Sequence, residues 1–197
     1  MDLTGKIIAI GGNARSGKDT LADNLVNILK DLDIKAQKVS FASALRHSVD
    51  DFLLKELGIS AFTEKKEEKD IIRPFLVFWG TDIMRNQDQE VWIKRLQKLL
   101  KPDQISIISD LRFTNELDWV RENEGISIML NRAGIGPANK HEEEQNKKLY
   151  KLVNLKFDLG ALKGENKDKM LKGLSYEILN ALLTEKTLDL WKATCPS

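Results

Sequence analysis

One cysteine, four prolines and two histidines occur in 197 residues, and each scarcity removes a class of protein. The cysteine is Cys195, close to the end of the chain, so neither an internal disulfide nor a cysteine-based metal cluster can form. His47 and His141 share no paired ligand spacing, which argues against a zinc site. No apolar run approaches the length of a membrane span, and no charged–apolar–small-residue leader follows Met1. A soluble, cytoplasmic chain with no membrane partner is therefore expected. Excess charge of one sign is missing as well, with 31 Lys and Arg against 30 Asp and Glu. A protein that coats nucleic acid is usually more basic, so no nucleic-acid partner is expected. Internal repeats and low-complexity tracts are also absent. The length fits one α/β domain over residues 1–197 with a real core, and it leaves a homodimer open.

What is present is concentrated near the start. Ile7-Ile8-Ala9-Ile10 runs into Gly11-Gly12, then Asn13-Ala14-Arg15-Ser16-Gly17-Lys18, and then a helical pattern at Leu21, Ala22, Leu25, Val26 and Leu29. Gly12 and Gly17-Lys18 have the spacing G-x-x-x-x-G-K of a phosphate-binding P-loop, in the strand–loop–helix context that the motif requires. Glycines let backbone N–H groups turn toward an anion, and the helix start adds partial positive charge. Lys18 is a point charge for the β- and γ-phosphates. Asp19 stands where the motif has a hydroxyl, with Thr20 next. Either Asp19 replaces the hydroxyl as a hard oxygen ligand for Mg2+ or the metal shifts.

The remaining pattern alternates strands and helices. Strands are expected over 6–11, 35–41, 105–110, 126–130 and 152–157. Helices are expected over 17–31, 43–57, 71–86, 90–100, 114–123, 141–148 and 167–184, with Thr114 as an N-cap. The charged run 63–70 reads as a solvated loop or helix start. The alternation predicts a doubly wound parallel sheet of five strands.

Three further groups carry chemistry. Asp110 ends an apolar strand, where an acidic group can hold Mg2+ or its waters beside the P-loop, and Arg112 follows within reach of the same crevice. A second phosphate, on an acceptor, needs arginines, and Arg46, Arg73, Arg85 and Arg95 are available in the helical region. Between Arg73 and Arg85 lies Phe75-Leu76-Val77-Phe78-Trp79-Gly80-Thr81. Phe75 and Phe78 fit a core face. Trp79-Gly80-Thr81 is harder to assign to a core, because a helical glycine is costly unless something approaches closely. Trp79, Trp92 and Phe41 are the rings that could stack on a planar base. Arg132 precedes the glycine-punctuated loop 133–139, which suits a lid that closes over a donor. His141, with Glu144, is expected to be an ordinary surface group. A guanine-specific switch would carry Asn-Lys-x-Asp and a strand-end Asp-x-x-Gly, and neither occurs.

Together these residues resemble the phage-encoded deoxynucleoside monophosphate kinases, a branch of the P-loop nucleoside-monophosphate kinase superfamily. The resemblance rests on Gly12 to Thr20, on Ser40-Phe41-Ala42 with Leu45-Arg46, and on Trp79-Gly80-Thr81 with Arg85 and Trp92. It continues through Ile108 to Phe113 with Asn115-Glu116, Arg132, His141-x-x-Glu144 and Asp158-Leu159-Gly160-Ala161-Leu162. It implies a P-loop kinase fold with a helical acceptor-binding insertion over about 43–100 and a lid over about 132–148. The implied activity is transfer of the γ-phosphoryl of ATP, with Mg2+, to a (deoxy)nucleoside monophosphate, in host cytoplasm if the chain is phage-encoded. Asn13, Ala14, Arg15, Ser16, Gly17, Lys18, Asp19 and Thr20 would bind ATP. Asp19, Thr20 and Asp110 would organise the metal. Phe41, Arg46, Arg73, Trp79, Thr81, Arg85, Trp92, Asp110 and Arg112 would face the acceptor. Lys18, Arg85, Asp110, Arg112 and Arg132 would stabilise the transferring group, helped by Arg15. The alternative is another small-molecule P-loop kinase, acting on dephospho-coenzyme A or a phosphorylated isoprenoid precursor.

Overall fold

Isoleucine-rich segments without polar interruption bury both faces only when strands flank them and helices cover them. In the computed structural model, which describes residues 5–137, 139–160, 166 and 168–180, this is the state of β1 (Ile7–Gly12). It pairs in parallel with β3 (Ile105–Leu111) on one side and β4 (Ile126–Arg132) on the other. β2 (Ala36–Val39) and β5 (Leu155–Leu159) form the edges, giving the order β2-β3-β1-β4-β5 with every pairing parallel. The doubly wound five-stranded α/β sheet expected from the alternation is the one observed.

Side chains alternate across this sheet into two cores. Ile8 and Ile10 of β1, Ile105 and Ile107 of β3, and Ile128 and Leu130 of β4 pack against α1 (Lys18–Asp31) and the helix over 168–180. Ile7, Ala9, Ile108 and Met129 face the other way. They pack against α2 (Phe41–His47), α5 (Val91–Gln97), α6 (Thr114–Glu122) and α7 (Lys140–Leu152). A third, smaller core of Val49, Leu53, Ala61 and Ile72 joins α3 (Asp50–Leu57) to α4 (Lys66–Val77).

Order reverses at β1: the chain leaves it toward β3 and β2 and later returns on its other side as β4 and β5. The crevice beyond the carboxyl ends of β1 and β3 is thus the topological switch point, where ligands of such sheets bind. Register slips there by one residue: Ala9 pairs with Ile108 but Gly11 with Leu111. The extra residue in β3 turns Leu111 onto the same core as Ile108 and sets Asp110 within the irregular stretch.

Several elements differ from the periodicity. Residues 43–57 form two helices, and Phe41 begins the first of them rather than ending β2, because the Ser40 hydroxyl caps it through the Ser43 N–H at 2.9 Å. The charged run before Asp70 supplies the first turns of α4. That helix continues past Pro74 into a π-helix, Phe78–Arg85. α6 begins at Thr114, but Phe113 is its N-cap, and Glu116 of the first turn accepts the Phe113 N–H at 3.1 Å. α7 is longer than expected, and β5 starts three residues later. Cys195, Ala161, Leu162 and the final residues of the expected 167–184 helix lie outside the described residues, as does the side chain of His141.

Gly12 is where the fold admits no side chain. Its φ is +137°, and a Cβ there would stand 2.3 Å from the Leu130 carbonyl oxygen. Gly12→Ala should therefore cost at least about 2 kcal/mol from backbone strain and overlap. A denaturant midpoint within error of the parent would contradict this reading.

Candidate active site

The loop between β1 and α1 wraps around one ammonium group. Lys18, the first residue of α1, is buried at 8 % exposure and donates to the carbonyl oxygens of Gly12 at 2.8 Å and Asn13 at 2.7 Å. Gly17 precedes it at φ +107°, where a Cβ would meet Leu171 at 3.1 Å. Arg15 adopts φ +65°, a left-handed conformation that a bulky residue accepts only when the surrounding loop imposes it. Ser16 is wholly buried, and its hydroxyl has no hydrogen-bond partner among the described residues. Burial pushes the Lys18 pKa down, and the neighbouring Arg112 pushes it the same way; Asp19, Glu142 and Asp110 oppose them. The loop therefore holds concentrated positive character and an unsatisfied hydroxyl, which is the chemistry of an anion site.

Asp110 stands across from it at the end of β3. Its carboxylate oxygens accept the N–H groups of Phe41 at 2.8 Å and Ala42 at 2.9 Å, so it ties the start of α2 to the sheet. Burial raises its pKa, while those two amides and Arg112 pull the other way. Each oxygen keeps a further lone pair, so Asp110 suits an outer contact to a hydrated cation. Thr20, half-buried in the first turn of α1, adds a hydroxyl. Asp19 does not join them. Its side chain, expected to be a metal ligand, is 76 % exposed and paired with Lys38 at 3.1 Å. Among the described residues no cluster of His, Cys, Asp or Glu could hold a metal unaided. Such a site fits Mg2+ that arrives with phosphate oxygens as its main ligands.

The expected acceptor residues differ in burial and position. Arg112 is exposed one residue beyond β3, and its charge reaches both Lys18 and Asp110. Arg46 is half-buried on α2, and it contributes with Lys69, the larger cause, to holding Glu64 below the usual carboxylate range. Arg73 and Thr81 are exposed on α4 and the π-helix.

Arg85 is different. It is buried at 8 % exposure, donates to Glu116 Oε1 at 2.6 Å, and lies with Cζ 4.0 Å above the Phe113 ring. The expectation that Arg85 itself grips a phosphate is corrected: its charge is already matched inside the protein. Glu116 was not singled out as a site residue by sequence reading, although its place in the first turn after Thr114 is a capping position. Its other oxygen accepts the N–H groups of Arg112 and Phe113 at 2.9 and 3.1 Å. Burial pushes the Glu116 carboxyl up, to about 7, against the pull of Arg85.

Two of the three candidate stacking rings are also corrected. Phe41 and Trp92 are 4 % and 3 % exposed, so neither presents a face to a ligand. Phe41 packs edge-on against Trp119, and Trp92 donates its indole N–H to the Gly80 carbonyl at 3.0 Å. A Cβ on Gly80 would meet Leu45 at 3.1 Å, which is the close approach that the helical glycine implied. Trp79 is half-buried between the second and third cores and stacks on Phe75.

The segment after β4 lies against the loop. Arg132 donates to the Arg15 carbonyl at 3.2 Å. The Asn13 amide donates to the Ile135 carbonyl at 3.1 Å and accepts from Asn146 of α7 at 2.6 Å. Asn146, a second residue that sequence reading missed, carries no local signal of this contact.

The family model and the curated relative are both named as kinases, and the names give different acceptors. A family model described as phosphomevalonate kinase matches residues 10–125. A curated protein of Acanthamoeba polyphaga mimivirus, named "Putative deoxynucleotide monophosphate kinase", is 29 % identical over 160 residues, covering 70 % of this chain and 80 % of that protein. Among solved structures, shikimate kinase from Bacteroides thetaiotaomicron is 14 % identical with a TM-score of 0.48, covering 89 % of this chain and 98 % of its own. Shikimate kinase from Aquifex aeolicus is 15 % identical with a TM-score of 0.47, covering 92 % and 98 %.

Arg85→Met should cost about 3–5 kcal/mol, because it strands a buried carboxylate. Adding Glu116→Gln should recover about half of that loss. Thermal and denaturant unfolding of the two variants would check this, and additive losses would rule out the pairing.

Proposed function

The chain belongs to the phosphomevalonate kinase family, and we propose that within that family it is a deoxynucleoside monophosphate kinase using ATP and Mg2+. The observation that carries this reading is the Lys18 ammonium, held on two P-loop carbonyl oxygens with Arg112 and Asp110 acting on the same charge. An ammonium so held moves onto phosphate oxygens with little rearrangement. The P-loop amides from Asn13 to Thr20 cradle the donor phosphates, and the orphaned Ser16 hydroxyl gains an acceptor.

In the transfer, an oxygen of the acceptor phosphate forms a bond to the γ-phosphorus while the bond to the β–γ bridging oxygen breaks, releasing ADP. Two anions must approach within bonding distance, so cations between them dominate the barrier. Arg112 and Arg46 serve the acceptor phosphate. Arg15 of the P-loop and Arg132 at the end of β4 supply charge beside the segment after β4, which acts as a lid. Thr20 and Asp110 would hold Mg2+ or its waters, and the ion would neutralise the donor phosphates.

The nucleotide acceptor is favoured by the name of the mimivirus relative and by half-buried Trp79 beside the arginine-bearing helices. A second reading, a phosphorylated isoprenoid precursor as acceptor, is favoured by the family match and by the burial of Phe41 and Trp92. Both acceptors present a phosphate.

Lys18→Ala should lower turnover at least ~100-fold while the fold survives, since the loss is in electrostatic stabilisation. Near-normal turnover would remove the loop from the donor site. An ADP-release assay over all common (deoxy)nucleoside monophosphates, mevalonate 5-phosphate and dephospho-coenzyme A decides the acceptor. Turnover restricted to mevalonate 5-phosphate would overturn the nucleotide reading.

A further inference from the structure

A buried carboxylate that holds three donors from two separate elements does more than cap a helix. Glu116 is 1 % exposed and accepts from the Arg85 guanidinium at one oxygen and from the Arg112 and Phe113 amides at the other. Arg85 closes the π-helix, and Arg112 follows β3, so Glu116 joins the acceptor-side helices to the switch point of the sheet. Two more contacts brace the same seam: Arg85 lies over Phe113, and Asn115 donates to the Gln89 carbonyl at 2.8 Å. β1 and β3 pair Gly11 with Leu111, so the residue that Glu116 anchors lies one step beyond the strand beside the P-loop.

Charge completes the argument. Glu116 matches the Arg85 charge inside the protein and leaves Arg112 as the exposed guanidinium whose field reaches Lys18. An N3 glutamate that only capped α6 would need no arginine partner from a different element.

We infer that Glu116 is a positioning residue for the acceptor phosphate: with Arg85 it fixes the backbone from which Arg112 is presented to the crevice. The inference rests on the phosphotransferase reading above. It requires that loosening Glu116 affect acceptor affinity more than donor affinity, because the P-loop is held by its own contacts.

The test measures KM for ATP and for the best nucleoside monophosphate in wild type and Glu116→Gln, with thermal melting alongside. The expected result is a rise of about tenfold in acceptor KM, an ATP KM within about twofold, and a smaller fall in kcat. If Glu116→Gln does not fold at assay temperature, Arg85→Lys keeps the charge pair without the planar fork. It should give an acceptor-selective rise of about threefold. An acceptor KM that is unchanged or lowered, or an ATP KM that rises equally, overturns the inference while leaving the kinase reading intact. Wild type that phosphorylates no nucleoside monophosphate overturns that reading, and the inference with it.

Discussion

An ammonium group at the head of a buried sheet has to be solvated by something, and here the carbonyl oxygens of Gly12 and Asn13 do it. Everything near the switch point follows from that arrangement. The loop must turn tightly enough to aim those carbonyls, which places Gly12 against the Leu130 backbone with no room for a side chain and puts Arg15 in a left-handed conformation. The same turn leaves the Ser16 hydroxyl buried without a partner among the described residues. Strained backbone and an unsatisfied hydroxyl persist where a ligand relieves them.

Around this centre, charges are sorted by burial. Arg85 and Glu116 are buried and paired, and Asp110 is buried and held by two backbone amides. Arg112 and Arg15 stay exposed. Removing a charge from water is expensive unless a partner is already present, so the paired Arg85 and Glu116 act as scaffold while Arg112 and Arg15 remain available to a ligand. Burial also divides the rings of the helical region. Trp92 contributes its ring to the core and its N–H to the carbonyl of Gly80, whereas Phe78, expected on a core face, is exposed.

Much of this was legible in the chain because it is local. Four apolar residues, a glycine spacing and a lysine over Ile7–Lys18 specify a strand, a loop and a helix start whose geometry the backbone largely dictates. The same holds for Asp110 at a strand end and for the alternation that gave five parallel strands. Boundaries were less legible where one hydrogen bond decides them, as where Ser40 starts α2 and moves Phe41 out of β2. The partner of Asp19 was hidden for a similar reason: nothing near it in the chain announces the pairing with Lys38.

The sequence by itself determined the order of elements, the anion-binding loop and the identity of the charges near it, because each depends on neighbours a few residues away. Tertiary structure alone decided which of those charges are matched and which are free to meet a ligand. Arg85 finds Glu116 across 31 positions, Asn146 finds Asn13 across 133, and a one-residue slip between β1 and β3 sets where Asp110 sits. Such pairings depend on how the helices settle on the sheet. The free energy of a charge is set by its surroundings in space, which no local pattern encodes.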